Sequence, residues 1–200
     1  MKDIEKIENN LSTEKSQEQL IDREDNDLIQ LVLNGSVNAY GLLIEKYQKA
    51  VYNLFLRMLH DQEEARELTQ LAFIKAYEAL SGFRSGCRFF SWLYRIAINL
   101  ALNELKKKKN FVSLEKIYNL ADEKTEENTD QELLLKKAID KLKEKYRLVV
   151  ILKYYQQLSY KEIADTLEIP EKKVRSRLFD ARLQLKQNMQ QTEYFRSYTN

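Results

Sequence analysis

The sequence predicts an all-α protein, two small helical domains joined by a flexible acidic linker. Three observations carry that reading. Four glycines and one proline in 200 residues leave little of the punctuation that β-turns require. Apolar residues recur at steps of three and four through most of the chain, the period of an amphipathic helix. Charge is also arranged in blocks. Residues 1–24 and 25–82 each carry a net −3, 83–110 carry +6, 111–132 carry −5 and 133–189 carry +7. Two basic blocks around an acidic one describe two surfaces that meet a polyanion, with a segment between them that avoids it.

Composition excludes several classes. With 44% hydrophobic residues, the chain is too apolar to be wholly disordered. It lacks any apolar run of eighteen residues, so no membrane insertion is expected. The first 24 residues alternate acids and amides without a hydrophobic stretch and do not read as a signal peptide. One cysteine rules out a disulfide framework and points to a reducing cytoplasm, and one histidine rules out a His-rich metal site. His60 reads as a helix end. Cys87 has basic neighbours but no base to activate it, and reads as structural. No Gly-rich phosphate loop and no metal-ligand cluster occur. No catalytic residue, metal or cofactor is therefore predicted, and the protein is not read as an enzyme.

Residues 1–24 read as a disordered extension, and helical periodicity begins near Asp27. Val37, Tyr40, Ile44, Tyr47, Val51, Leu54 and Met58 form one stripe on a long helix. Asp61, with Glu64 three residues on, reads as the cap of the next helix, which runs to about Leu80. Its core face is Ala65, Leu68, Ala72, Ala76 and Leu80. Ser81-Gly82 ends it, a basic aromatic loop covers Phe83 to Phe90, and a helix follows from about Ser91 to Lys109. This closes a first domain over 25–110. Residues 111–132 form the acidic linker, in which almost nothing from Asn119 to Glu132 can be buried. Four helices then cover Leu133 to Leu142, Tyr146 to Gln156, Ser159 to Leu167 and Pro170 to Met189. They make a second domain over 133–189, followed by a tail, 190–200.

Two constellations suggest chemistry. Ser159 and Glu162 form a capping box that opens a short helix with Ile163, Ala164 and Leu167 inward. Pro170 suits the first turn of the next helix. There Val174, Leu178, Ala181 and Leu185 face inward, while Lys172, Arg175, Phe179, Arg182 and Lys186 face out. This is a helix-turn-helix pattern, whose second helix fits a major groove; the alternative is an amphipathic hairpin with a solvated basic face. The second constellation lies on the helix after the aromatic loop. Leu93, Ile96, Ala97, Leu100 and Leu105 can face a core, opposite Trp92, Arg95, Asn99, Asn103 and Lys106. A ring, a cation and two amides suit single-stranded nucleic acid, with Phe83, Arg84, Arg88, Phe89 and Phe90 walling a pocket. Alternatively the aromatics fill a small core and the polar groups are only solvated. Lys106 to Lys109 read as a solvated helix end well placed for phosphates.

These segments resemble a known family. DLIQLVLNGSVNAYGLLIEKYQKAVYNLFLRML, DQEEARELTQLAFIKAYEAL and FRSGCRFFSWLYRIAINLALNELKKKK resemble region 2 of the extracytoplasmic-function sigma factors of the sigma-70 family. LKEKYRLVVILKYYQQLSYKEIADTLEIPEKKVRSRLFDARLQL resembles their region 4. The resemblance implies a transcription initiation factor that binds core RNA polymerase and promoter DNA, with an anti-sigma factor as a further partner, in a stress or envelope response. It implies a polymerase-binding role for Asp61, Leu68, Thr69, Gln70, Phe73 and Tyr77, on the helix that Asp61 opens. Asn99 matches the asparagine that contacts a flipped minus-ten base, Phe83 to Ser91 match its pocket loop, and Trp92 and Asn103 match family positions. Arg175, Ser176 and Phe179 fall where the family reads the minus-thirty-five duplex. The acidic linker matches a segment that threads through polymerase. Three departures bear on promoter preference. Ser85-Gly86-Cys87-Arg88 replaces a Gly-Asp-Ser-like loop, and Glu171-Lys172-Lys173 replaces a Val-Gly-Thr-like triplet. Asp180 stands where arginine is common. Asp180 is expected either to shift the minus-thirty-five preference or to pair with Lys172 or Lys173.

Overall fold

The computed structural model describes residues 21–83, 88–112 and 130–198. Regular structure among them is entirely helical, and the chain divides into two units between Ala101 and Leu102. The expected extension up to residue 20, the loop positions Arg84 to Cys87 and the linker positions 113–129 lie outside the described residues.

The first unit opens on helix α1 (21–33), which is formed several residues ahead of Asp27. Periodicity missed this turn because a carboxylate anchors it. Asp25 is 1% exposed, beside the buried Ile29 and Val32. Gly35, at φ +97°, then terminates α1. Its N–H bonds Val32 O at 2.9 Å, and the Ser36 N–H bonds Leu31 O at 2.9 Å, the paired bonds of a Schellman cap. Ser36 caps α2 (Val37–Leu59). Tyr40, Tyr47, Val51, Leu54 and Met58 are buried as the stripe predicts, but Leu43 takes the line in place of the half-buried Ile44. Val37, in the first turn, is 69% exposed.

His60 ends α2 in the left-handed region, as expected, its N–H bonding Leu56 O at 2.9 Å. Asp61 caps α3 (Gln62–Ala79) by accepting the Glu64 N–H at 2.9 Å. Ala65, Ala72 and Ala76 are fully buried, and their small size lets α3 pack closely on α2. Leu68 is only half-buried. A 3₁₀ turn, Leu80–Gly82, leads out of α3. Helix α4 (Phe89–Val112) starts ahead of Ser91, because Phe89 is itself a core residue. Its buried face is Leu93, Tyr94, Ala97, Ile98 and Ala101, whereas Ile96, Leu100 and Leu105 are half-buried. Burying each large apolar side chain of this core contributes about 1.5–3 kcal/mol.

In the second unit, α5 (Asp130–Asp140) begins inside the predicted linker. Helix α6 (Glu144–Val150) runs directly into a π-helical turn, Ile151–Tyr155, which puts Ile151 and Leu152 in the core. Ser159 and Glu162 form both bonds of the capping box that opens α7 (Tyr160–Leu167). Glu168, left-handed at φ 51°, closes α7, and Pro170 supplies the carbonyl that Lys173 N–H and Val174 N–H share at the start of α8 (Glu171–Tyr198). Helices α5, α6 and α7 all pack on α8. Val174, Leu178 and Ala181 are its buried line, and Ala181 joins Ile139, Leu142 and Val150, with Tyr146 and Leu185 against them.

Candidate polymerase and nucleic-acid surfaces

Helix α3 presents one surface. Gln70 and Tyr77 are exposed, and Thr69 is half-buried, its hydroxyl donating to Ala65 O at 2.6 Å. Phe73 instead belongs to the core, and its carbonyl accepts the Tyr40 hydroxyl. The Tyr77 ring packs edge-on against Tyr40 at 4.9 Å. The periodic reading missed Leu71 and Ile74, which are exposed on this helix, Ile74 by 54%. Their signal was available: the core face of α3 is already filled by alanines, so larger apolar residues elsewhere on it have nothing inside to cover. Asp61 acts on the helix itself, as its cap.

Around the start of α4 the aromatic residues form a cluster. Phe83 meets Trp92 edge-on at 5.4 Å and Phe89 at 5.9 Å, and Phe89 lies 5.7 Å from Trp92. Beneath them Tyr47 stands 5.7 Å from Phe89 and 5.9 Å from Phe90, and Phe90 lies 4.2 Å from Tyr94. Phe89 and Tyr94 thus fill a core, while Phe83 and Trp92 are half-buried at its margin. Burial pushes the phenols of Tyr40, Tyr47 and Tyr94 well above the usual tyrosine range; for Tyr47 the hydrogen bond to Asp25 adds to it. Arg88 forms an ion pair through Nε with Asp22 of α1 at 2.8 Å. Its partner lies 66 positions away in a segment expected to be disordered. Arg95 is half-buried, and Asn99, Asn103 and Lys106 follow at successive turns, all exposed.

On α8, Lys172, Arg175, Ser176, Phe179 and Arg182 are all exposed, Phe179 by 66%. Arg182 Nε donates to Leu178 O at 3.1 Å. Glu171 Oε1 accepts Arg175 Nη2 at 2.5 Å and Nε at 3.2 Å, which raises the Arg175 pKa. Asp180 is half-buried, and its hydrogen-bond partner is the Tyr146 hydroxyl of α6 at 3.4 Å. The pairing with Lys172 or Lys173 weighed from sequence is not the one formed. The packing of α6 on α8 brings Tyr146 within its reach. No metal-binding group of three His, Cys, Asp or Glu side chains occurs among the described residues. None of their helices is long and apolar enough to cross a membrane.

Residues 43–111 match the family model of sigma-70 region 2, and residues 132–185 match that of sigma-70 region 4. The RNA polymerase sigma-H factor of Pseudomonas aeruginosa is 35% identical over 178 residues, 82% of this chain and 92% of that protein. The chain belongs to the extracytoplasmic-function sigma factors of the sigma-70 family. SigW of Bacillus subtilis is 34% identical, over 80% of this chain and 94% of its own. Sigma-E of Escherichia coli K12 is 35% identical, over 82% and 92%. Two solved structures share the fold. RpoE from Bartonella quintana, in complex with the anti-sigma factor NepR, has a TM-score of 0.63 and 21% identity, over 77% of this chain and 98% of that one. CnrH, in complex with the cytosolic domain of CnrY, has a TM-score of 0.64 and 22% identity, over 82% and 95%.

As a sigma factor, this protein is a regulatory transcription factor that directs RNA polymerase to promoters. The aromatic cluster, Asn99 and Asn103 all lie in the region 2 match, and the capping box, the turn and the exposed α8 residues through Arg182 lie in the region 4 match. Helix α1, with Asp22 and Asp25, precedes the region 2 match, although it anchors side chains within it.

Proposed function

We propose that the sigma factor divides its tasks by surface. Region 2, over 25–110, binds core RNA polymerase through Gln70, Leu71, Ile74 and Tyr77, with Leu68, Thr69 and Phe73 supporting that face from the half-buried and core sides. Region 4, over 133–189, reads the minus-thirty-five duplex with Lys172, Arg175, Ser176, Phe179 and Arg182. The minus-ten strand runs along α4, where Asn99 contacts a flipped base and Asn103 and Lys106 follow the backbone. Phe83, Arg84, Arg88, Trp92 and Arg95 surround that base. The acidic segment 111–132 joins the two domains within the polymerase. The protein acts in the cytoplasm without a catalytic step, cofactor or metal of its own, and an anti-sigma factor holds it inactive.

The observation that carries this reading is the α4 face. Asn99 and Asn103 are exposed one turn apart, beyond an aromatic margin formed by Phe83 and Trp92. Amides beside a stacking ring suit base recognition in a single strand, and a duplex-only reader has no use for the stacking platform. Asn99→Ala should weaken one minus-ten position by about 1–3 kcal/mol while leaving core-enzyme binding intact. Run-off transcription by reconstituted holoenzyme on promoters altered at each minus-ten base measures this. Equal loss with every base at that position would assign Asn99 to the fold. Tight footprinting by the isolated chain, with no co-purification of core enzyme, would make the protein a conventional repressor or activator.

A further inference from the structure

We infer that Tyr160 and Glu171 are positioning residues for Arg175, holding its guanidinium as a reader of a guanine edge and not as a phosphate anchor. The inference rests on the reading of α8 as the helix that enters the duplex groove.

Arginine offers five N–H donors in a planar fork. Glu171, one turn earlier on α8, takes the Nε–H and one Nη2–H through its Oε1, at 3.2 and 2.5 Å. The pairing therefore occupies the Nε–Nη2 side of the guanidinium. It leaves the Nη1–Nη2 end open, and that end has the spacing to bond guanine O6 and N7 together. The guanidinium also sits 5.5 Å from the centre of the Tyr160 ring, so a second helix borders it.

The ring is itself held. Tyr160 is the first residue of α7, directly after the Ser159 cap, so the capping box sets its backbone. Lys153 Nζ lies 5.1 Å from the ring centre and donates to Leu158 O at 3.0 Å. Arg175 is thus tied to both helices of the helix-turn-helix, while its side chain stays exposed. Most long side chains on such a face are ordered only when DNA arrives, which opposes binding. Arg175 has that order beforehand.

Charge decides what kind of contact it makes. Glu171 offsets the Arg175 charge within the pair, so bringing the pair to DNA displaces few counterions. Lys172 is exposed on the same helix, and Glu171 is committed to Arg175. Lys172 then serves affinity and Arg175 serves selectivity.

The test uses holoenzyme assembled from full-length sigma factor and core polymerase, on promoters randomised in the minus-thirty-five element, at several salt concentrations. Arg175→Ala should lower the preference for guanine at one position about tenfold, without changing the slope of log affinity against log salt. Lys172→Ala should reduce that slope by about one and leave the base profile intact. Tyr160→Ala should reproduce most of the Arg175→Ala loss at the same position, with Tyr160→Phe restoring it. Glu171→Gln, whose amide oxygen can still accept from Arg175, should steepen the salt slope by about one, and Glu171→Ala should flatten the same position. A wild-type base profile in Tyr160→Ala, or a Tyr160→Phe variant as flat as Tyr160→Ala, overturns the inference. If Tyr160→Ala does not fold, the two Glu171 variants decide, and an unchanged profile in Glu171→Ala or an unchanged slope in Glu171→Gln overturns it. If Arg175→Ala itself leaves every position unchanged, the groove placement of α8 fails instead, a different result from failure of the positioning.

Discussion

Removing the charge of Asp25 without changing its shape tests how α1 is held to the region 2 core. Its side chain is 2% exposed; one oxygen accepts Lys46 Nζ at 2.6 Å and the other accepts the Tyr47 hydroxyl. In Asp25→Asn the amide oxygen can still accept from Tyr47, so the loss is mainly the charged bond to Lys46. A hydrogen bond to a charged group contributes about 1.5–3 kcal/mol. The Lys46 side chain is 29% exposed and lies 3.8 Å from Glu24, so water and Glu24 recover part of that. The expected cost is about 2 kcal/mol. Lys46→Met should cost more, about 3–5 kcal/mol, because it strands a carboxylate away from water while Asp25→Asn strands a group that water can reach. The single tryptophan, Trp92, lies in this unit, so urea titration followed by its fluorescence reports this unit and not the other. A change below about 0.5 kcal/mol in Asp25→Asn, or a smaller cost for Lys46→Met than for Asp25→Asn, would refute the reasoning.

Two further outcomes follow from the same geometry. Tyr40, Tyr47 and Tyr94 all have phenol pKa values raised by burial, so their stability contribution is complete below pH 10 and is lost as pH rises. Above pH 10 each should remove about 1.4 kcal/mol per pH unit, and Tyr94→Phe should make the alkaline slope shallower by that amount in urea titrations; an unaltered slope would count against the burial of its phenol. Ser159→Ala removes the acceptor of the Glu162 N–H and should cost about 1 kcal/mol locally. Hydrogen exchange in residues 160–167 should then be about fivefold faster, and unchanged exchange would show that α7 is held by packing alone.

Local signals decided much of this protein. Asp61 and the Ser159–Glu162 box could be read as caps because each bonds a backbone N–H three residues away, and no distant partner is required. Val174, Leu178 and Ala181 were legible as a buried line because a helix repeats on itself every three or four residues. The exposure of Asn99, Asn103 and the basic α8 residues followed from the same period.

What the sequence could not decide depends on partners far along the chain. Helix α1 is anchored by Asp22 on Arg88 and by Asp25 on Lys46 and Tyr47, contacts of 66, 21 and 22 positions that no periodic pattern encodes. The same holds for Phe73, read as a polymerase contact but buried under Tyr40, and for the early start of α4, set by the burial of Phe89. Asp180 could have faced DNA or a lysine by sequence, and only the packing of α6 beside α8 turned it to Tyr146. By itself the sequence determined the helices, their caps and the polar faces, since those arise from neighbours within a turn or two. Which polar groups are tied down, and which stay exposed, was decided by tertiary structure, because an ion pair or a buried ring needs a partner that only folding brings within reach.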